Sequence, residues 1–284
     1  MDVSQTALLL SLHISTWDAC RGDKRVSEDV ARRAHVDKRR AGHYNKYLVD
    51  VAAPSYAGVR AAGTKLREFH YANTLPWSDG WGIIAAAAYP KYAAEFRKLE
   101  GAYHSAVADF LADYPRLKAN ARVELNGLYD EADYPTTDAI RNRFDIKLRK
   151  MEVPNTSDIR VKMSKDFVDT LRADITSDVN DCLSGAMTAA WTRLRERVGK
   201  LVETLGEKDK IFRDTLVTNA RDECKLLASL NLVGDKNLDT IRYEIEKLLR
   251  GVNAQDLRED GKLRKQVAAD AAEINRKMAS FMGV

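Results

Sequence analysis

The chain has 284 residues, of which 45% are hydrophobic and 31% charged, and its formal net charge is only +4. This balance excludes a disordered polyelectrolyte and a broadly basic nucleic-acid coat, and the length allows one large domain or two ordinary ones. The longest purely apolar runs, Ala7–Leu10 and Ile83–Tyr89, fall far short of the roughly 20 residues a membrane helix needs.

Asp2 stands where a secretory signal would carry positive charge, and His13 follows the short apolar segment, so no signal peptide is expected. Cys20, Cys182 and Cys224 are odd in number and form no C-x-x-C pair. That pattern predicts no disulfide framework and suits a reducing cytoplasm.

In chain order, Leu8, Leu10, Leu12 and Ile14 fall on one face and Ser11, His13 and Ser15 on the other, which predicts a half-buried N-terminal strand. Ser27 is the expected N-cap of a short helix to His35, and Asp37–Lys46 reads as a polar loop. Pro54 opens a helix to about Tyr71. Asn73–Gly82 is full of breakers and reads as a loop. Pro90 opens a further helix with Tyr92, Phe96, Leu99, Tyr103, Val107 and Leu111 at helical spacing, and Pro115 is expected to restart the chain as a second one. Thr136 or Thr137 caps a short helix to about Phe144. Ile146–Val153 and Ile159–Met163 read as two strands, forming a hairpin around Pro154–Ser157 that pairs with the N-terminal strand.

From Ser164 onward the character changes. Phe167, Leu171, Ile175, Val179, Leu183 and Met187 step by four. Met187, Trp191, Leu194, Val198, Leu201 and Leu205 then alternate steps of four and three, a heptad seam on one helix of about 40 residues. A polar break at Gly206–Lys210 turns the chain into a second helix, Ile211–Asn231, making a helical hairpin, and Leu238–Leu249 and Ala254–Phe281 add two more helices. The expected class is mostly α (α+β): a compact α+β domain over residues 1–163 with a small antiparallel sheet, then a helical hairpin or bundle over 164–284. The far end of so long a hairpin must project, meet another subunit or be covered by the last two helices, and a homo-oligomer is the expected solution.

No phosphate-cradling loop, dinucleotide fingerprint, nucleophile elbow or H-E-x-x-H motif is present, and none of the five histidines pairs at i, i+4 with another His or Cys. No catalytic residue, cofactor or metal is therefore expected. The acidic cluster Asp130-Glu131-Ala132-Asp133 could offer oxygens to a divalent cation, but it lacks the EF-hand spacing and reads better as a capped loop. The stretch Arg21–Lys46 holds nine Lys or Arg against four acids. Arg33, Lys38, Arg39, Arg40 and Tyr44 are its candidate phosphate contacts, combining cationic donors with a stacking surface. The competing reading is a solvated loop whose charges pair with nearby acids. Trp77 and Trp81 lie in one breaker-rich loop. They either plug a core or mark a partner surface, and with Trp191, Leu194, Val198 and Leu201 of the seam they are the candidate interaction residues.

Four strings carry a family resemblance: L-S-L-H-I-S-T-W from Leu10, A-G-H-Y-N-K-Y-L-V from Ala41, R-E-F-H-Y-A-N-T-L-P-W-S-D-G-W from Arg67, and N-G-L-Y-D-E-A-D-Y-P-T-T-D-A-I-R-N-R-F from Asn126. The chain in this respect resembles an uncharacterised family of bacteriophage and prophage proteins, a domain of unknown function. Members are often encoded beside a MoxR-type AAA+ ATPase and a von Willebrand factor A-type protein. The resemblance covers roughly residues 5–165 and supplies no catalytic residue. It implies a phage context, in an infected or lysogenic host, and a role beside such an ATPase. The expectation is a non-enzymatic interaction or scaffold protein; the alternative is a nucleic-acid binder using residues 21–46.

Overall fold

A computed structural model describes residues 3–155, 164–207 and 210–282. Of the described residues, 66% are helical and 11% strand, a mostly α fold with a small antiparallel sheet. The elements run β1 (Ala7–Ser15), β2 (Cys20–Gly22), α1 (Lys24–Arg33), β3 (Asn45–Tyr47), α2 (Pro54–Ala72), β4 (Leu75–Pro76), β5 (Gly82–Ala85), α3 (Tyr89–Glu124), α4 (Thr137–Arg141) and β6 (Asp145–Glu152). The helices α5 (Lys165–Gly206), α6 (Thr215–Leu230), α7 (Lys236–Leu248), α8 (Ala254–Glu259) and α9 (Gly261–Met282) follow.

The division into compact units does not follow a single boundary near residue 163. One unit gathers residues 1–11, 70–93 and 149–284, and the other residues 12–69 and 94–148. All four crossings fall inside continuous elements, namely β1, α2, α3 and β6.

In the first unit, the sheet order is β4-β5-β1-β6. β1 pairs antiparallel with β5, Leu9 opposite Ile83, and β5 pairs antiparallel with β4, Leu75 opposite Ile83. Leu9, Leu75 and Ile83 are buried in one cluster with the helices. Asn73–Gly82, expected as a loop, is loop except at Leu75, Pro76 and Gly82, which pair at the base of a β-hairpin. Asp79 (φ 43°) and Gly80 (φ 79°) both take the left-handed conformation, and Trp81 N–H donates to Ser78 O at 2.7 Å. That is the tight primed turn for which Asp-Gly is favoured, because its twist matches the flanking strands. Gly82 is needed for space: a Cβ there would lie 2.7 Å from Thr74 Oγ1. The second expected strand, Ile159–Met163, and its turn lie outside the described residues except for Pro154 and Asn155.

The long helix of about 40 residues is observed as α5. Its buried residues begin at Ala186 and include Met187, Trp191, Leu194, Val198, Leu201 and Leu205. They pack with Val217, Ala220, Cys224 and Leu227 of α6, Ile241 and Ile245 of α7, and Ala271, Ile274 and Met278 of α9. The heptad seam is therefore filled from within the chain, so Trp191, Leu194, Val198 and Leu201, expected as interaction residues, are core residues and offer no seam to a second copy. The helix expected over Ala254–Phe281 divides at Asp260 into α8 and α9. A capping box between Asn253 and Asp256 starts α8, and Asp260 Oδ1 accepts from Lys262 and Leu263 N–H at the head of α9.

In the second unit, α1 is capped by Asp23 rather than Ser27: Asp23 Oδ1 accepts from Val26 N–H at 3.1 Å. Ser27 instead donates to Asp23 O at 2.7 Å and accepts from Tyr44 N–H at 2.9 Å. These bonds anchor the end of the polar loop, and β3 pairs with β2, Arg21 opposite Lys46. Pro115 does not break α3. Phe110, Leu111, Tyr114, Leu117 and Ala121 are all buried around it, and that packing outweighs a cost of about 3 kcal/mol for a mid-helix proline. Trp17, Tyr56, Phe110 and Tyr114 form an aromatic core with ring centroids 5.4 to 6.5 Å apart, and Tyr56 Oη donates to Trp17 O at 2.8 Å.

Candidate functional site: an aromatic cleft

The β4–β5 hairpin presents Trp77 and Trp81 on either side of its turn, joined by a Trp77 N–H bond to Trp81 O of 2.9 Å. Both indoles are half-buried and packed against the core of the first unit. They neither plug that core nor stand free. Instead they line a cleft on each flank of the hairpin.

The first cleft has a volume of about 380 Å³. Leu9, Met151 and Pro154 continue the wall from the indoles, and Ile175, Asp178, Val179 and Cys182 of α5 face them. This part of α5, before Ala186, contains no buried residue. Ile175 and Val179 are half-buried, and Phe167, earlier on the helix, is 71% exposed. The second cleft, about 330 Å³, is closed by Arg193 of α5. That guanidinium is committed: it donates to Ala72 O at 2.8 Å and Thr74 O at 3.3 Å and pairs with the buried Glu223 at 2.8 Å.

The base of the hairpin is rigidly held. Thr74 Oγ1 donates to His70 O at 2.9 Å. His70 is buried with its Nδ1 2.8 Å from Tyr92 Oη, and burial lowers its pKa to about 4, so the ring is neutral at pH 7. Trp191 has a structural role. Its Nε1–H donates to Asp235 Oδ2 at 2.9 Å, while Asp235 Oδ1 caps α7 by accepting from Asn237 and Leu238 N–H.

No protein-family model, curated protein or solved structure matches the chain.

The charged candidates of the second unit come together in a way their spacing did not reveal. Lys46 is buried, with Nζ 2.8 Å from Asp133 and 3.5 Å from Asp23, and it donates to Leu128 O at 2.5 Å. Burial works against its ammonium, but the Asp133 and Asp23 carboxylates more than offset this, and its pKa is raised. Arg21 also reaches Asp133, at 3.4 Å, and Arg25 donates to Gly127 O at 2.8 Å. Within α1 and its sequel, Arg33 pairs with Asp29 at 2.8 Å and Lys38 with Glu28. Arg39 and Arg40 are exposed and make no ion pair among the described residues, and Tyr44 and Tyr47 are exposed beside them in sequence.

The acidic cluster is dispersed over separate partners. Asp130 Oδ1 accepts from Ala132 N–H, Glu131 takes Lys118 and Tyr129 Oη, and Asp133 takes Lys46 and Arg21. Among the described residues no group of three or more His, Cys, Asp or Glu is placed to hold a metal ion, and no helix is long and apolar enough to cross a membrane.

The cleft residues on α5, with Met151 and Asp79, were not singled out from sequence. Two signals pointed to them. Asp79-Gly80 is the strongest short hairpin cue, and the stripe Phe167, Leu171, Ile175 and Val179 lies ahead of the seam with no complementary helix assigned to it.

Proposed function

We propose that this chain is a non-enzymatic interaction protein that takes a segment of a partner protein between the Trp77–Trp81 hairpin and the first half of α5. The observation that carries the reading is the pair of half-buried indoles lining a cleft whose opposite wall, the half-buried Ile175 and Val179, belongs to a stretch of α5 with no fully buried residue. Aromatic side chains in a concave, apolar setting are the usual anchors of protein recognition, because they bury much area at little conformational cost. The family resemblance over roughly residues 5–165 supports a MoxR-type AAA+ ATPase, with its von Willebrand factor A-type companion, as the machine served, in the cytoplasm of an infected or lysogenic bacterium.

The test is binding of the purified chain to a MoxR-type AAA+ ATPase from the same host or phage. Trp77→Ala with Trp81→Ala should weaken binding by at least about tenfold, since truncating a hot-spot aromatic removes about 2 kcal/mol or more. Circular dichroism should be unchanged. Equal binding by the double variant overturns the reading.

A second reading, nucleic-acid binding, is supported by one observation: Arg39 and Arg40 are exposed without ion pairs among the described residues, next to the exposed rings of Tyr44 and Tyr47. It requires a local contact, since Arg33 and Lys38 are engaged by acids of α1.

A further inference from the structure

The charge of the aromatic cleft specifies its occupant further. Its lining includes two carboxylates, Asp79 on the hairpin turn and Asp178 on α5, and no Lys, Arg or His. Neither carboxylate makes an ion pair among the described residues. The acidic character extends along α5. Residues 165–184 hold Asp166, Asp169, Asp174, Asp178 and Asp181 against Lys165 and Arg172, a net charge of −3. Arg172 is itself paired with Asp169 at 3.1 Å. The same stretch carries the half-buried Ile175 and Val179 and the exposed Phe167.

Three physical consequences converge. The apolar wall calls for apolar side chains from the occupant. An indole face attracts a cation, and a carboxylate beside it adds a charge-assisted hydrogen bond. A second copy of the same helix would bring like charges together, which disfavours pairing of α5 with itself. We infer that the cleft takes an amphipathic segment of a partner protein bearing Lys or Arg, its apolar face on Trp77, Trp81, Ile175 and Val179 and its cations on Asp79 and Asp178. This rests on the interaction reading above and names the chemistry of the partner.

Tryptophan fluorescence reads the event in the intact chain, because Trp77 and Trp81 line the cleft while Trp17 and Trp191 are buried. The probes are two amphipathic peptides with one apolar pattern, one of Leu and Lys, the other of Leu and Glu. The Leu–Lys peptide should shift the emission and bind at least about tenfold more tightly, with the difference shrinking as salt rises. Asp79→Lys with Asp178→Lys should reverse the preference. Asp178→Lys alone, on an exposed helical position, should lower it and guards against a misfolded turn. Trp77→Ala with Trp81→Ala should abolish the fluorescence response. Equal binding of both peptides, unmoved by D178K, overturns the cationic partner and leaves the cleft as a docking site. If neither peptide binds, the inference fails, and if W77A/W81A also binds the ATPase normally, the interaction reading fails with it. A dimer seen by light scattering and lost in W77A/W81A would place a second copy in the cleft and overturn the inference.

Discussion

Lys46 Nζ sits 2.8 Å from Asp133 Oδ2 with only 3% of the lysine side chain exposed, tying the basic stretch of residues 21–46 to the acidic loop at 130–133. Two segments that each suggested a ligand are each other's partner. A buried pair of this kind costs much to break from one side, because the survivor keeps its desolvation penalty. Asp133→Asn or Lys46→Met should therefore destabilise the protein by about 3 kcal/mol in urea unfolding. Lys46→Met combined with Asp133→Leu should recover part of that loss. Single variants within about 0.5 kcal/mol of the parent would refute the pairing.

The two halves of α5 should respond oppositely to truncation. Leu194 is fully buried in the helical core, so Leu194→Ala should cost about 2–5 kcal/mol through lost transfer energy and the residual cavity. Phe167 is 71% exposed, and Phe167→Ala should change stability by less than about 0.5 kcal/mol. Equal losses for the two would mean that the first half of α5 is packed in solution.

His70 makes stability depend on pH. Its folded pKa is about 4 against an ordinary 6.5. As pH falls below the ordinary value, the unfolded chain takes up a proton that the folded chain refuses, so stability present above pH 6.5 is lost progressively down to about pH 4. The difference of about 2.5 units corresponds to a loss of about 3 kcal/mol. Urea titrations at pH 7 and pH 4.5 should show it, and His70→Gln should flatten the dependence. A parent protein equally stable at both pH values would contradict the buried neutral imidazole.

The free cations of the basic stretch give the nucleic-acid reading a clear test. Binding to single-stranded DNA in low salt should fall steeply as salt rises, and Arg39→Ala with Arg40→Ala should weaken it and reduce the salt slope by about two. Arg33→Glu should matter less, because that side chain is already held by Asp29 at 2.8 Å. Absence of DNA binding in low salt would end this reading.

Much of the local structure was legible in advance. The strand at Ala7–Ser15, the helix from Pro54, the Thr136 cap and the helix from Lys165 all follow from alternation, capping chemistry or helical spacing within a few residues. The misreadings share a cause. The local propensity of a breaker makes Pro115 the end of a helix and Asn73–Gly82 a loop throughout, but propensity does not include the surroundings. The aromatic packing around Pro115 and the pairing of β5 with β1 decided otherwise.

The sequence by itself determined the fold class, the heptad seam of α5, and the two tryptophans as residues needing an explanation. These rest on periodicity and composition, which act over a few residues. Tertiary structure alone decided what covers each face. It filled the seam at Leu194, Val198 and Leu201 from α6, α7 and α9, neutralised Lys46 with Asp133, and left Trp77 and Trp81 facing a stretch of α5 that holds no buried residue. Burial depends on residues remote in the chain, and no local pattern encodes which of them arrive.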